Sequence, residues 1–413
     1  MPTIKPFDGY LIKAEQASAV VSPAYDSVSA EERRRFSSEN HYNFINTMRL
    51  QEDFPQDAQP TQDQLLADNK KCLEKLLDSG AFDKCRHASM FVYQLGNAYH
   101  TQTGLVCEVP VEEYESGVLK KHENTRATKE DLLARYQEVV GASSSPICLT
   151  YPQNEDIDKA IARIITRSPD IDFVTADGEP QRVWSIEDAE ELQKLQQLFA
   201  AVDGTYLTDG HHRAASGCRY AEIMRAKNGT NNGDEPFNQL LVALFPDNQL
   251  NLLPFHRCVR DTNGLSAEQI AEALQQNFDV QRLDGEKEFE SSKHGEFGML
   301  VNDTWYRLTI RPESLDKSDP VASLDVSVLQ DHILDPVLGI KDMRDDPRLG
   351  YIAGVAGIEG IREAASEGWE VIFVCFATSI RQLMNVADAE ALMPPKSTYF
   401  DPKARSGIFV RLK

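Results

Sequence analysis

The sequence predicts an α+β protein of two domains. Segments with helical spacing and segments rich in β-branched and aromatic residues are mixed along the chain, without the regular strand-helix-strand alternation of a doubly wound sheet. Its 413 residues exceed what one compact core of ordinary size organises. A turn-forming stretch, Asp261 to Gly264, precedes a fresh helix start, which sets a boundary near 260 and gives domains 1–260 and 261–413.

The elements follow in order. "VVSPAYDSVSAEERRRF" reads as an extended run ending at Pro23, a turn through Tyr25 and Asp26, and a helix capped near Ser29. In "TQDQLLADNKKCLEKLLDSGAF" the residues Leu65, Leu66, Leu73, Leu76 and Leu77 share a helical face, and Gly80 stops the helix. "ASMFVYQL" and "GLVCEVPV" have strand composition. A helix opening near Thr128 brings Leu132, Leu133 and Tyr136 onto one side. Next come strand "SPICLTY", helix "NEDIDKAIARIIT", strand "QRVWSI", helix "IEDAEELQKLQQLFAAV" and the short strand "TYL". "NQLLVALFP" reads as a buried strand and is followed by "LLPFHRCVRD". Beyond the boundary, a helix capped at Ser266 leads to strands "FDVQRL", "GMLV" and "TWYRLTI", helix "DVSVLQDHIL" and the buried strand "WEVIFVCFA". "MPPKSTYFDPKARSGIFVRL" closes the chain as a Pro-rich loop and a strand.

Composition excludes several function classes. With 43 basic and 65 acidic residues the net charge is −22, so a grip on nucleic-acid phosphates would work against strong repulsion, and no nucleic-acid partner is expected. Met1 to Lys13 lacks a cationic stretch followed by an apolar one, and no run approaches the 18 to 20 apolar residues of a membrane helix, so a soluble, cytoplasmic protein is expected. The seven cysteines are scattered and form no C-x-x-C pair, which fits reduced thiols better than a disulfide or zinc framework.

Three stretches could carry chemistry. In "TYLTDGHHRAASGCRYAEIMRA" an apolar strand runs into Asp-Gly and then into a helix whose Ala214, Ala215, Cys218 and Ala221 offer a close-packing face. The first amides of such a helix lack intrahelical partners and its dipole favours an anion, so the amides of Gly210, His211 and His212, with Arg213, can hold a phosphate. Asp209 has two roles open to it, a helix cap or a carboxylate that holds Mg²⁺ or activates a hydroxyl. Adjacent histidines on a regular helix cannot both face one metal, so His211 and His212 are expected to be phosphate donors and not zinc ligands.

The second stretch, "KKHENTRATKEDLLARY", gathers Lys120, Lys121, His122, Glu123, Asn124, Thr125 and Arg126 at a strand-to-helix junction. If this loop faces the first, Glu123 can serve as general base and Arg126 as an electrophilic clamp; a solvated surface loop is the plainer alternative. The third, "MPPKSTYFDPKARSG", presents Lys396, Ser397, Thr398, Lys403 and Arg405 on a chain stiffened by Pro394, Pro395 and Pro402. It is not a Walker motif, and the chain contains neither G-x-G-x-x-G after a strand nor G-x-S-x-G.

Together "SPAYDSVSAEER", "VEEYESGVLKKHENTRATKEDLLARYQ", "TYLTDGHHRAAS" and "MPPKSTYFDPKARSGIFV" resemble the domain-of-unknown-function family numbered one thousand and fifteen, in the family's order and over almost the entire chain. The family usually has two prolines before its Tyr-Asp; here Ala24 replaces the second, while Tyr25 and Asp26 remain. The Asp-Gly-His-His-Arg piece further resembles the nucleotide-binding motif of the ParB and sulfiredoxin fold, within which free-serine kinases pair a similar turn with an upstream glutamate. That resemblance implies a ParB/sulfiredoxin-like mixed-sheet core with an N-terminal extension over 1–260, and a second α+β domain that contributes the Pro/Lys loop. It implies ATP or ADP with Mg²⁺ as cofactors and a small hydroxyl metabolite, best free L-serine, as acceptor. Glu123 and Asp209 become the catalytic pair, with Asp209 toward Mg²⁺. Gly210, His211, His212, Arg213, Arg126, Lys396 and Ser397 become nucleotide contacts, and His122, Asn124, Thr125, Tyr25 and Asp26 substrate contacts. The alternatives are a nucleotide-binding switch or hydrolase without a metabolite acceptor, and an interaction protein that has lost catalysis.

Overall fold

Alternation of side chains along the strands builds the first layer. The computed structural model describes residues 1–229, 232–286 and 288–413 and divides into two units, Met1–Leu250 with Pro402–Lys413, and Asn251–Asp401. In the first unit eight strands lie side by side in the order Leu119–Lys120, Thr205–Asp209, Ile147–Tyr151, Gln239–Pro246, Thr101–Pro110, Met90–Gly96, Pro180–Ile186 and Ile171–Val174. Strand 205–209 runs parallel to 119–120, and 147–151 parallel to 239–246; the other neighbours are antiparallel. Phe91, Tyr93 and Leu95 face one side with Val106, Ala243 and Phe245, while Met90 and Val92 face the other with Leu105, Cys107, Leu149, Leu207 and Val242. Both faces are apolar, so both are covered.

Helix His211–Asn228 covers the second of these faces through Ala214, Cys218 and Ala221, the small residues its sequence offered. Its approach to the sheet is close: a Cβ on Gly217 would lie 2.4 Å from Leu240 Cδ2. Helix Ala127–Val140 lies against it, and Gln137 Nε2 donates to Ser216 Oγ at 3.3 Å. This second helix begins at Ala127 with Arg126 as its N-cap, one residue before the expected start. The caps read from sequence at Ser29 and Ser266 are both present as reciprocal capping boxes, with Glu32 and Gln269.

The final segment belongs with the first unit, where the reading of 1–260 and 261–413 had placed it with the second. Phe409–Leu412 pairs with Tyr10–Ile12 and with Ala142–Ser143, and Ile408, Phe409 and Val410 are fully buried in the first unit's core. The burial of three apolar side chains outweighs chain proximity, because hydrophobic stabilisation follows area removed from water.

The second unit holds a six-stranded antiparallel sheet in the order Phe278–Leu283, Thr304–Ile310, Glu296–Val301, Val371–Val374, Phe255–Val259 and Leu349–Ala353. Helix Ala267–Leu274 packs Ile270 and Leu274 into its core. The stretch 325–334, expected as one helix, is α-helical over Asp325–Leu329 and continues as a π-turn over Gln330–Leu334. The whole chain is thus α+β, all seven cysteines are free, and among the described residues no helix is long and apolar enough to cross a membrane.

Candidate functional site

The site is built at the junction of strand 205–209 and helix 211–228, and Gly210 makes the junction possible. Its φ is +93°, and a Cβ there would lie 2.9 Å from Arg213 Cζ, so only glycine lets the guanidinium fold back over the turn. Gly210 is the N-cap. The first intrahelical bond runs from Ala214 N to Gly210 O at 2.9 Å, which leaves the amides of His211, His212 and Arg213 at the mouth of the helix.

Asp209 therefore does not cap the helix. Its carboxylate accepts from Arg213 Nη2 at 2.5 Å and from Lys403 Nζ at 3.0 Å. Burial alone would raise its pKa, but Lys403 and Arg213 override that and hold it well below the usual carboxylate range. Arg213 in turn contacts Asp26 Oδ2 through Nε at 3.3 Å and donates from Nη1 to Pro146 O at 2.5 Å. Expected as a phosphate contact, Arg213 also ties Asp26, Asp209 and Pro146 together, and these contacts do not use all five of its N–H donors. The Tyr25–Ser27 turn that delivers Asp26 is itself fixed, since Arg33 Nη1 donates to Tyr25 O at 3.0 Å while Arg33 Nε donates to Asp53 Oδ1 at 2.8 Å. Burial pushes the Tyr25 hydroxyl pKa up.

The other side of the helix mouth meets the "KKHENTR" loop. Glu123 Oε2 lies 3.6 Å from His211 Nδ1, and Arg126 N donates to His212 Nε2 at 3.2 Å. The two histidines diverge, as helical spacing requires: His211 turns inward and His212 toward the loop. His211 is 6% exposed, so its ring is not a surface phosphate donor; burial, with the neighbouring His122, keeps it neutral by lowering its pKa well below the usual value.

His122 was expected at the substrate surface and is instead completely buried. Its ring meets that of His211 edge-on, with centroids 4.5 Å apart and planes at 88°, and burial lowers its pKa to about 3. Both ring nitrogens of His122, and Nε2 of His211, lack hydrogen-bond partners. One donor atom each of His122, Glu123 and His211 lies within 4.8 Å of the others. Thr125 donates to the Glu130 carboxylate, and Asn124 and Arg126 are exposed.

A cavity of about 60 Å³ lies behind the helix start, lined among others by Tyr25, Tyr136, Ser145, Arg213, Ser216 and Lys413. It is roomy enough for water. Lys396 and Ser397 belong to the second unit, where Lys396 Nζ sits 5.1 Å from the centre of the Phe255 ring and Ser397 Oγ donates to Pro394 O at 2.6 Å. From the same C-terminal stretch it is Lys403 that reaches Asp209. The pairing of His122 with His211 escaped sequence reasoning because 89 positions separate two residues that each looked complete within its own motif; the signal available was a His-Glu pair in a loop expected to face a His-His pair.

Among solved structures the chain is similar to a conserved hypothetical protein from Pyrococcus furiosus, with TM-score 0.36 and 11% identity over 73% of this chain and 93% of that chain. It is similar to a free serine kinase in complex with AMP, with TM-score 0.36 and 11% identity over 71% of this chain and 86% of that one. It is also similar to a C-terminally truncated SbnI from Staphylococcus aureus, with TM-score 0.37 and 11% identity over 73% and 85%. Likeness of this degree carries no argument about activity. A search of curated proteins gave no match. The model of a family described as proteins of unknown function, DUF1015, matches residues 4–327, and the chain belongs to that family.

Proposed function

We propose that the protein is a nucleotide-dependent phosphotransferase acting on a small hydroxyl metabolite, with free L-serine as acceptor and O-phosphoserine as product. The observation that carries this reading is the placement of the Glu123 carboxylate 3.6 Å from His211, the first residue of a helix whose opening amides suit a phosphate. A base and an anion site thereby share one mouth. The sequence resemblance to free-serine kinases, which pair an upstream glutamate with an Asp-Gly-His turn, supports the same assignment.

In this reading the nucleotide phosphates, from ATP or ADP, lie across the amides of His211 and His212, with the exposed Arg126 side chain at the rim. Mg²⁺ carried with the nucleotide would screen its phosphates. Both oxygens of Asp209 accept from Arg213 and Lys403, so Asp209 holds those cations in register beside the turn. The acceptor hydroxyl oxygen forms a bond to the terminal phosphorus as the bond to the leaving nucleotide oxygen breaks, and Glu123 takes the hydroxyl proton. Tyr25, Asp26, Asn124 and Thr125 remain candidates for holding the acceptor.

The test is incubation of the full chain with serine, ATP or ADP and Mg²⁺, with phosphoserine followed by mass spectrometry. Phosphoserine should form, and Glu123→Gln should slow it by about 10² to 10⁴-fold. Nucleotide-dependent thermal stabilisation with no phosphorylated acceptor would replace this reading with a nucleotide switch or hydrolase.

A further inference from the structure

We infer that His122, Glu123 and His211 form a binding site for one divalent transition-metal ion. The argument starts from what burial costs. Three imidazole nitrogens are out of water without a hydrogen bond, and an unpaired buried polar atom forfeits its hydration. Chains tolerate such groups where a ligand completes them. Here the residues converge: one donor atom each of His122, His211 and the Glu123 carboxylate lies within 4.8 Å of the others.

The donor set selects the ion. Two neutral imidazoles and one carboxylate suit zinc, cobalt or manganese, whereas magnesium prefers an all-oxygen shell. In a tetrahedral site with donors at ~2.1 Å, neighbouring donors stand about 3.4 Å apart, so closure requires the side chains to draw in by about 1.4 Å at most. The Glu123 side chain is 35% exposed against 5% for His211, which gives an ion its way in.

Three protein ligands with an open position are the arrangement of a catalytic and not a structural ion. The inference rests on these three side chains and stands apart from the identity of the acceptor.

The test uses the untagged full chain, stripped with chelator and titrated with Co²⁺ under visible spectroscopy. One equivalent should produce d–d bands that Zn²⁺ displaces. His211→Ala and His122→Asn should abolish them. Glu123→Gln, at a partly exposed position that folding tolerates, should weaken binding by at least about tenfold with an unchanged far-ultraviolet spectrum. Absence of the bands in the wild-type chain, or bands unaltered in Glu123→Gln and His211→Ala, would overturn the site. Stoichiometric cobalt binding without phosphoserine formation leaves the metal site and removes the kinase reading; phosphoserine formation in a chain that gives no cobalt spectrum does the reverse.

Discussion

The two sides of one helix mouth are organised in opposite ways. Toward Asp209 every charge has a partner: Asp26 and Asp209 face Arg213, and Lys403 faces Asp209. Toward His122 three buried ring nitrogens, both of His122 and Nε2 of His211, have no hydrogen-bond partner. A closed, formally neutral network holds a backbone in place and has little left to offer a ligand. An open set of lone pairs costs stability until something binds, and the free energy of binding is gained there.

The largest effect should come from breaking the closed side. Arg213→Met leaves two partly buried carboxylates, Asp26 and Asp209, facing a vacated guanidinium site, and removal of one partner of such a network costs about 3–5 kcal/mol. Urea unfolding of the full chain should show that loss. A loss below about 1 kcal/mol would mean that the network is solvated and that Arg213 is available to phosphate after all.

A histidine in the second unit sharpens the contrast. His256 is 6% exposed, and its Nδ1 accepts from the Cys375 amide at 3.2 Å, so its neutral form is hydrogen-bonded where that of His122 is not. Burial and the adjacent Arg257 lower its pKa to about 4. Since the folded value lies below the unfolded ~6.5, the contribution is full above pH 6.5 and is lost as pH falls toward 4, at about 1.4 kcal/mol per pH unit. Between pH 7.5 and pH 5 the wild-type chain should therefore lose about 2 kcal/mol more than His256→Asn, whose side-chain oxygen can still accept the Cys375 amide. Equal losses in urea titrations would show that the His256 environment admits water.

The closed side was partly legible in sequence and the open side was not, for a physical reason. Gly210 and the strand-to-helix switch around it are local, so spacing alone located the turn where the helix opens. The small residues at 214, 218 and 221 likewise announced a helix pressed against a sheet. The roles of Asp209 and Arg213 misled because an isolated motif shows residue types and not their partners: Lys403 arrives from 194 positions away and Asp26 from the opposite end of the chain. His122 misled in the other direction, since a charged loop reads as surface unless the strand beneath its start, Leu119–Lys120, is known to pair with 205–209. That parallel pairing alone brings the loop to the helix mouth.

The smallest effect tests where the open side meets solvent. The Arg126 side chain is exposed, and the bond that ties this position to the site, from its amide to His212 Nε2, belongs to the backbone. Arg126→Ala therefore keeps that bond and should change stability by less than about 0.5 kcal/mol. If nucleotide phosphates lie across the helix mouth, the variant loses one exposed charge pair with them, worth about 1 kcal/mol at most, or about fivefold in nucleotide affinity at low ionic strength. Exposed pairs are screened, so the difference between wild type and variant should shrink toward unity when calorimetric titrations with ADP are repeated at about 0.5 M salt. An affinity unchanged at low salt moves the phosphates away from the Arg126 rim. A loss far above tenfold moves Arg126 from the rim to a desolvated clamp, and the open side would then extend to the start of the 127–140 helix.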